Sequence, residues 1–298
     1  MSLIITGANG FVGKNLSISM KPFYPITNLN VRGLGNKTIE LKGEALIHLA
    51  GKAHDLKRVS SADEYYNVNF ELTKRLFDAF LKSDLKKFIF ISSVKAAADV
   101  VDGVLTEEMI PDPQTHYGKS KHMAEVYIQS QPLPEGKSYY ILRPCMIHGP
   151  GNKGNLNLLY KLVEMGIPYP LAAFENRRSF LSIDNLCFII DRLLKNEIPS
   201  GIYNVADDEA LSTKELVSIL SESLNKKPKL WAVSSKLIRF IAVIGDKIGL
   251  PLNTERLNKL TENYVVSNLK IKKALGVDLP LSAKEGLKIT ASSFGKHN

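Results

Sequence analysis

Cysteine is almost missing from this chain. Cys145 and Cys187 are the only two in 298 residues, which excludes a disulfide framework and fits two buried thiols in a reducing compartment. Long apolar runs are missing as well. No stretch reaches the length that crosses a bilayer, and the sequence opens into the short run Leu3-Ile4-Ile5 rather than a leader. These absences predict a cytoplasmic protein without stable membrane insertion. None of the six histidines stands at metal-ligand spacing from a partner, so no metal is expected. Acidic residues are absent at the start: none occurs before Glu40.

At 44% hydrophobic and 23% charged residues, the chain can bury the core of one large domain or two joined ones. The net charge of +9 fits ligands that carry phosphates as well as it fits nucleic acid. The lysines are scattered, without a basic stripe interleaved with aromatics, so no nucleic-acid partner is expected.

The first half alternates β-favouring apolar runs with helical stretches, the pattern of an α/β protein whose parallel sheet is covered on both faces. The runs are 3–6, 26–31, 45–49, 88–92 and 139–142. The clearest helix spans 63–81 and is opened by Ser61-Ala62-Asp63-Glu64, a capping-box pattern. The same pattern at Ser212-Thr213-Lys214-Glu215 and Ser282-Ala283-Lys284-Glu285 predicts two further helix starts. Past Pro150 helices dominate.

Between the first strand and the first helical stretch stand Gly7, Gly10 and Gly13. Glycines so placed allow a tight turn, bring backbone amides close to a pyrophosphate and leave the helix dipole to favour its charge. A dinucleotide site is therefore expected. The carboxylate that would hold an NAD ribose about 20 residues further on is absent, and Val31-Arg32 ends the second strand instead, where a guanidinium can meet a 2′-phosphate. NADP(H) is favoured, with NAD(H) possible. The stretch from Arg32 to Ala45 is too short for a full helix and strand, so the adenine side of the site looks abbreviated.

Of eleven tyrosines, only Tyr117 has a lysine four residues on, Lys121. On a helix these positions share a face. A phenol titrates near about 10, and a neighbouring cation favours its phenolate, which suits acid/base work nearer neutral pH. Ser92-Ser93 lies just past a strand, at the carboxyl end where open α/β sheets bind ligands.

Taken in order, Thr6 to Gly13, His48-Leu49-Ala50-Gly51, Asn67-Val68-Asn69, Ile91-Ser92-Ser93-Val94-Lys95, Tyr117-Gly118-Lys119-Ser120-Lys121, Leu142-Arg143-Pro144 and His148-Gly149-Pro150-Gly151 resemble the extended short-chain dehydrogenase/reductase superfamily, in its nucleotide-sugar epimerase, dehydratase and reductase branch. Arg177-Arg178-Ser179-Phe180, Asp184-Asn185-Leu186, Gly201-Ile202-Tyr203-Asn204-Val205 and Leu275-Gly276 extend the resemblance over nearly the whole chain. It implies a Rossmann-type doubly wound parallel sheet over residues 1–150, with part of 179–206 returning to it, and a smaller, mostly helical substrate domain over 151–298. It also implies roles. Tyr117 would be the acid/base, Lys121 would hold the nicotinamide ribose and tune that tyrosine, and Ser93 would hydrogen-bond the reacting sugar oxygen. Gly7, Asn9, Gly10, Phe11, Val12 and Gly13 would form the phosphate turn, with Leu49, Ala50, Gly51, Asn69 and Pro144 along the cofactor cleft. Arg178, Arg256, Asn155 and Lys95 would face the nucleotide-diphosphate sugar.

Dehydratases of this branch carry an Asp-Glu pair directly after the catalytic Ser/Thr. Val94 and Lys95 occupy those positions here, so 4,6-dehydration is not expected. The resemblance leaves hydride exchange at sugar C4, as a UDP-4-keto-6-deoxyhexose 4-reductase first, or as a UDP-hexose 4-epimerase. A remoter alternative is a cofactor-binding regulator without catalysis, although such proteins usually lose the tyrosine and lysine. A homodimer built on helix 63–81 and the Tyr117 helix would suit the superfamily. The apolar stretch 237–244, with Lys236, Arg239 and Lys247 nearby, is expected to be a buried helix, with contact to a lipid surface as the alternative. His48 is expected to be a satisfied core residue and His116 a loop residue.

Overall fold

The computed structural model describes residues 1–35, 37–52, 61–152, 154–248 and 253–295, except for the side chains of Asn155, Ile248 and Lys259. Apolar residues two apart build its central sheet. Leu3, Ile5, Ile47, Ile89 and Leu142 join the core on one face, and Ile4, Leu46, Phe88, Phe90 and Ile141 join the core on the other. This is the two-residue alternation of a strand, and a sheet apolar on both faces must be covered on both.

The strands are β1 (Leu3–Thr6), β2 (Ile26–Leu29), β3 (Ala45–His48), β4 (Lys87–Ile91), β6 (Ser138–Pro144) and β9 (Gly201–Val205), with the short β5 (Val104–Leu105), β7 (Met146–His148), β8 (Phe180–Ser182) and β10 (Val265–Val266) outside the main sheet. The main sheet runs in the order β2-β1-β3-β4-β6-β9, every pair parallel. Helices α1 (Phe11–Met20) and α6 (Ile183–Lys195) cover one face. Helices α2 (Ala62–Tyr65), α3 (Leu72–Lys82) and α4 (His116–Ser130) lie toward the other, where Leu76, Phe77 and Phe80 of α3 and Ala124 and Ile128 of α4 enter its core. From β1 the chain goes to β2 and then returns past β1 to lay down β3. Strand order therefore reverses between β1 and β3, and the crevice at their carboxyl ends is where such sheets take ligands.

The rest of the chain supplies α5 (Asn155–Glu164), α7 (Thr213–Ser223), α8 (Ser235–Ile248), α9 (Thr254–Thr261), α10 (Leu269–Leu275) and α11 (Ala283–Phe294). Leu156, Tyr160, Leu216, Leu220 and Leu287 join α5, α7 and α11. A smaller cluster of Leu171, Phe174, Ile238, Ala242 and Leu257 seats α8 and α9.

Several boundaries differ from the sequence expectation for local reasons. The second strand stops at Leu29, not residue 31, because the Asn30 side chain accepts the Arg32 N–H at 3.0 Å and turns the chain. Among the described residues, 32–44 hold neither helix nor strand, as their length implied. Ser212 and Ser282 form complete capping boxes. Ser61 forms half of one: its Oγ accepts the Glu64 N–H, but the Glu64 carboxylate pairs with Lys52. The helix expected over 63–81 is interrupted by a π segment, Tyr66–Glu71. The stretch 237–244 does form a helix, α8, but not a buried one. Ile238 and Ala242 face the core, while Leu237, Phe240, Val243 and Ile244 are exposed.

Candidate active site

The turn between β1 and α1 is fixed by close backbone approach. Gly7 has φ of +70° and donates no side chain to a space where a Cβ would stand 2.7 Å from the Ala50 nitrogen. At Gly13 a Cβ would fall 2.3 Å from the Gly7 carbonyl oxygen, so the helix touches the turn only because Gly13 is bare. Gly10 caps α1 without any side-chain hydrogen bond, and the first turn of α1 carries no acidic residue. The amides at this helix start are thus left to an external anion, as a dinucleotide pyrophosphate requires.

Behind the turn runs a buried chain of hydrogen bonds that anchors the neighbouring loop. Thr73 Oγ1 donates to the Asn69 carbonyl at 2.7 Å. Its hydrogen being used, it accepts from His48 Nε2 at 2.9 Å, which leaves Nδ1 to accept from Thr6 Oγ1 at 2.7 Å. Thr6 Oγ1 in turn accepts the Ala50 N–H at 3.1 Å. His48 is fully buried in this chain. Desolvation first, and the Lys121 charge second, push its pKa down to about 3, so it is a neutral core residue as expected. Asn69 secures the loop from its other side. Its Oδ1 accepts the Lys52 N–H at 2.8 Å, and its Nδ2 donates to the Lys52 carbonyl and to Ser120 Oγ, both at 3.1 Å. Asn69 sits in the π segment, a distortion that recurs at functional sites because it re-aims a side chain.

Helix α4 starts at Thr115, whose hydroxyl accepts the Gly118 N–H at 3.2 Å. His116 therefore opens a helix rather than lying in a loop, and its Nδ1 is 3.2 Å from the Tyr66 hydroxyl. One turn on, Tyr117 and Lys121 share a face, as their spacing predicted. Lys121 is buried, donates to the Ile91 carbonyl at 2.8 Å, and lies over the Phe90 ring. Its Nζ is 3.1 Å from where a Gly51 Cβ would be, so the ammonium reaches the loop after β3. Tyr117 hydrogen-bonds Ser93 and meets Tyr65 edge-on, with ring centroids 6.3 Å apart.

The electrostatics depart from the sequence expectation. Burial pulls Lys121 down to about 8, with Glu125 opposing. Burial likewise holds the Tyr117 phenol above its ordinary value; the Ser93 hydrogen bond lowers it, and Tyr65 and Glu125 raise it. The phenol is therefore held in its neutral form, because desolvation outweighs the Ser93 hydrogen bond. Behind Lys121 stands a buried acid that sequence reading missed. Glu125 accepts from Ser92 Oγ at 2.5 Å and from Arg143 Nε and Nη2 at 2.9 and 2.6 Å. Burial alone would raise this carboxyl, but contacts from His122, Arg143 and Ser92 outweigh it and hold it below the ordinary range. Its position four residues after Lys121 was the one available signal.

Phe11, Val12, Leu49, Gly51, Ser93, Tyr117, Lys121 and Pro144 all line one cleft of about 260 Å³ at the carboxyl ends of the strands, with Ser92 beside Ser93 as expected and with Lys52, Cys145 and Ile147, which were not anticipated. A larger hollow of about 940 Å³ lies elsewhere, beside Arg177, Lys214 and Glu215. None of the titrating groups above lines it, whereas Tyr117 and Lys121 line the smaller cleft.

The other expected contacts do not line this cleft. Lys95 lies over the Tyr264 ring at 4.2 Å and donates to the Asp99 carbonyl. Arg178 pairs with Tyr264 through the backbone and holds Glu262 at 2.5 Å. Tyr264, unforeseen from the sequence, thus links the two, and its hydroxyl donates to the Ala98 carbonyl at 2.7 Å. Arg32 is exposed just past β2. Arg256 is exposed on α9. Asn155 opens α5, and its side chain lies outside the described residues.

Comparison with known proteins agrees with this geometry. Residues 3–206 match the model of the NAD dependent epimerase/dehydratase family. The chain is 30% identical to a UDP-glucose 4-epimerase of Vibrio cholerae, over all of this chain and 96% of that one. It is 32% identical to an N-acetyl-alpha-D-glucosaminyl-diphospho-ditrans,octacis-undecaprenol 4-epimerase of Escherichia coli O157:H7, over 91% of this chain and 85% of that one. In fold it resembles MoeE5 in complex with UDP-glucuronic acid and NAD, with a TM-score of 0.75, 19% identity and full coverage of both chains. A parallel sheet with a glycine-bridged switch point, and a match over two thirds of its length, identify this chain as a member of the NAD dependent epimerase/dehydratase family.

Proposed function

We propose that the chain acts at C4 of a nucleotide-diphosphate sugar, as a UDP-4-keto-6-deoxyhexose 4-reductase. One observation carries this reading: Tyr117 lines the cleft with its hydroxyl on Ser93 and the Lys121 ammonium beside it. The bare turn at Gly7 and Gly13 and the uncapped start of α1 suit a dinucleotide pyrophosphate. When bound, NADPH supplies the hydride. Ser93 hydrogen-bonds the C4 oxygen and orients it. Tyr117 gives that oxygen its proton, turning ketone to alcohol, and regains a proton from water. Lys121 fixes the ribose and favours the transient phenolate.

Three features support reduction over its rivals. Burial keeps the Tyr117 phenol protonated, the form that a proton donor needs. Val94 and Lys95 put no carboxylate after Ser93, and Glu125 is fully engaged by Ser92 and Arg143, which argues against dehydration. Arg32, exposed just past β2, favours the 2′-phosphate of NADPH. A second reading, the UDP-hexose 4-epimerase, draws on the two near-full-length relatives, both of which carry the name of a 4-epimerase. We place the sugar on residues 151–298 and the cofactor on residues 1–150 in either case.

Denaturing the purified protein and identifying what is released separates them. Tightly held NAD+ marks the epimerase. A protein that arrives empty and consumes NADPH with a UDP-4-keto sugar marks the reductase. A Tyr117→Phe variant keeping full turnover would sink both. The Arg32→Ala variant is expected to lose the preference for NADPH over NADH.

A further inference from the structure

Helix α8 is apolar on two opposite sides, yet the protein covers only one. Ile238 and Ala242 pack on Leu171, Phe174 and Leu257. On the other side Phe240 is 63% exposed, and Leu237, Val243 and Ile244 share that exposure. An apolar stripe on a helix faces an apolar cover, so this second stripe calls for a cover as well. The surface continues beyond α8. Trp231, 58% exposed, stands just ahead of the helix in a stretch bridged through Leu230 and Ala232 to Tyr169 and Leu171. Exposed Met165 and Ile167 flank Gly166, whose side faces Lys229 Nζ.

Charge says what the cover is. Residues 226–247 carry six basic side chains, Lys226, Lys227, Lys229, Lys236, Arg239 and Lys247, against one acid, Asp246. That segment alone supplies more than half of the chain's net +9. The acid is turned to structure, capping α9 through Thr254. On the helix, Lys236, Phe240, Val243 and Lys247 fall on the exposed side at intervals of four, three and four residues, so lysines bracket the apolar patch. Aromatic and aliphatic side chains ringed by lysines match an interface with acyl chains below and anionic headgroups around. A second copy of the chain matches poorly, because a two-fold contact would set this positive segment against itself.

We infer that this face, formed by residues 226–247 with Met165 and Ile167, docks the protein on an anionic phospholipid bilayer, α8 lying in the plane of the headgroups. The inference is independent of the C4 chemistry, since no residue of the cleft takes part.

The test is cosedimentation of the full chain with vesicles of phosphatidylcholine alone or mixed with phosphatidylglycerol. Binding at least tenfold stronger to the anionic vesicles, and weakened by salt, is expected. The exposed double variant Phe240→Ser, Val243→Ser is expected to lose at least tenfold in vesicle binding while NADPH binding stays unchanged. A second variant, Lys226→Gln, Lys227→Gln, Lys229→Gln, is expected to lose the preference for anionic vesicles. Equal binding to both vesicle types, or double-variant binding equal to that of the parent, overturns the inference. So does a parent that ignores vesicles but dimerises in solution through this face, with the double variant monomeric.

Discussion

Replacing His48 by glutamine removes a titrating group from the hydrogen-bond chain that anchors the loop of Ala50 and Gly51. In the native protein His48 stays neutral until about pH 3, because burial and the Lys121 charge oppose its protonation. In the unfolded chain it takes up a proton near its ordinary value of about 6.5. Between these values the unfolded state binds more protons, so stability rises with pH through that window and is lost as pH falls below about 6.5. At about pH 5 the unfolded imidazole is almost wholly charged and the native one almost wholly neutral. Linkage then sets the loss at about 2 kcal/mol relative to neutral pH, and the figure holds so long as the native value lies well under 5. Urea denaturation at about pH 7.5 and pH 5 measures it. The parent should lose about 2 kcal/mol more than His48→Gln between the two conditions. Glutamine keeps a donor and an acceptor on a side chain of similar reach, so the variant should still fold. Equal losses in both proteins would refute the neutral, doubly hydrogen-bonded histidine, and with it the tautomer derived from Thr73 and Thr6.

The Glu125→Gln substitution leaves Arg143, 1% exposed, without its counter-charge. It should cost about 3–5 kcal/mol in urea unfolding, with part of that recovered in the double variant Glu125→Gln, Arg143→Met. Strict additivity of the two changes would deny the coupling. Lys121 is pulled to about 8 in the folded chain against about 10.4 unfolded. The unfolded state therefore holds more protons between these values, and this group adds stability as pH rises from about 8 toward 10. The Lys121→Met variant should lack roughly 2 kcal/mol of that rise; an unchanged alkaline slope would contradict the buried ammonium. A methyl group at Gly13 would stand 2.3 Å from the Gly7 carbonyl, so Gly13→Ala should weaken dinucleotide binding at least tenfold by fluorescence titration. Unaltered affinity would dissociate the turn from cofactor binding.

Much of the candidate cleft was legible because its parts are local. A strand followed by bare glycines specifies a tight turn whatever lies around it. Tyr117 and Lys121 are one helical turn apart, so their shared face follows from the helix alone. Ser212 and Ser282 cap their helices through contacts only three residues long. Some failures were local, as where the Asn30 side chain ends β2 at Leu29; in others a partner distant in sequence had intervened. Glu64 leaves its capping box for Lys52. The helix over 63–81 breaks into a π segment where Asn69 answers Lys52 and Ser120. The Tyr117 phenol is raised, not lowered, because the amount of water excluded from it depends on Tyr65, Ser93 and everything else that closes the cleft.

The residue order by itself determined a parallel sheet with a tight glycine turn after its first strand, and a phenol and an amine on one helical face, since periodicity and short spacings fix those directly. Only the tertiary structure decided that Glu125 stands behind the lysine clasped by Arg143, that Tyr264 joins Lys95 to Arg178, and that half of α8 remains uncovered. Desolvation and long-range pairing are sums over neighbours that the chain brings together only on folding. No window of consecutive residues contains them.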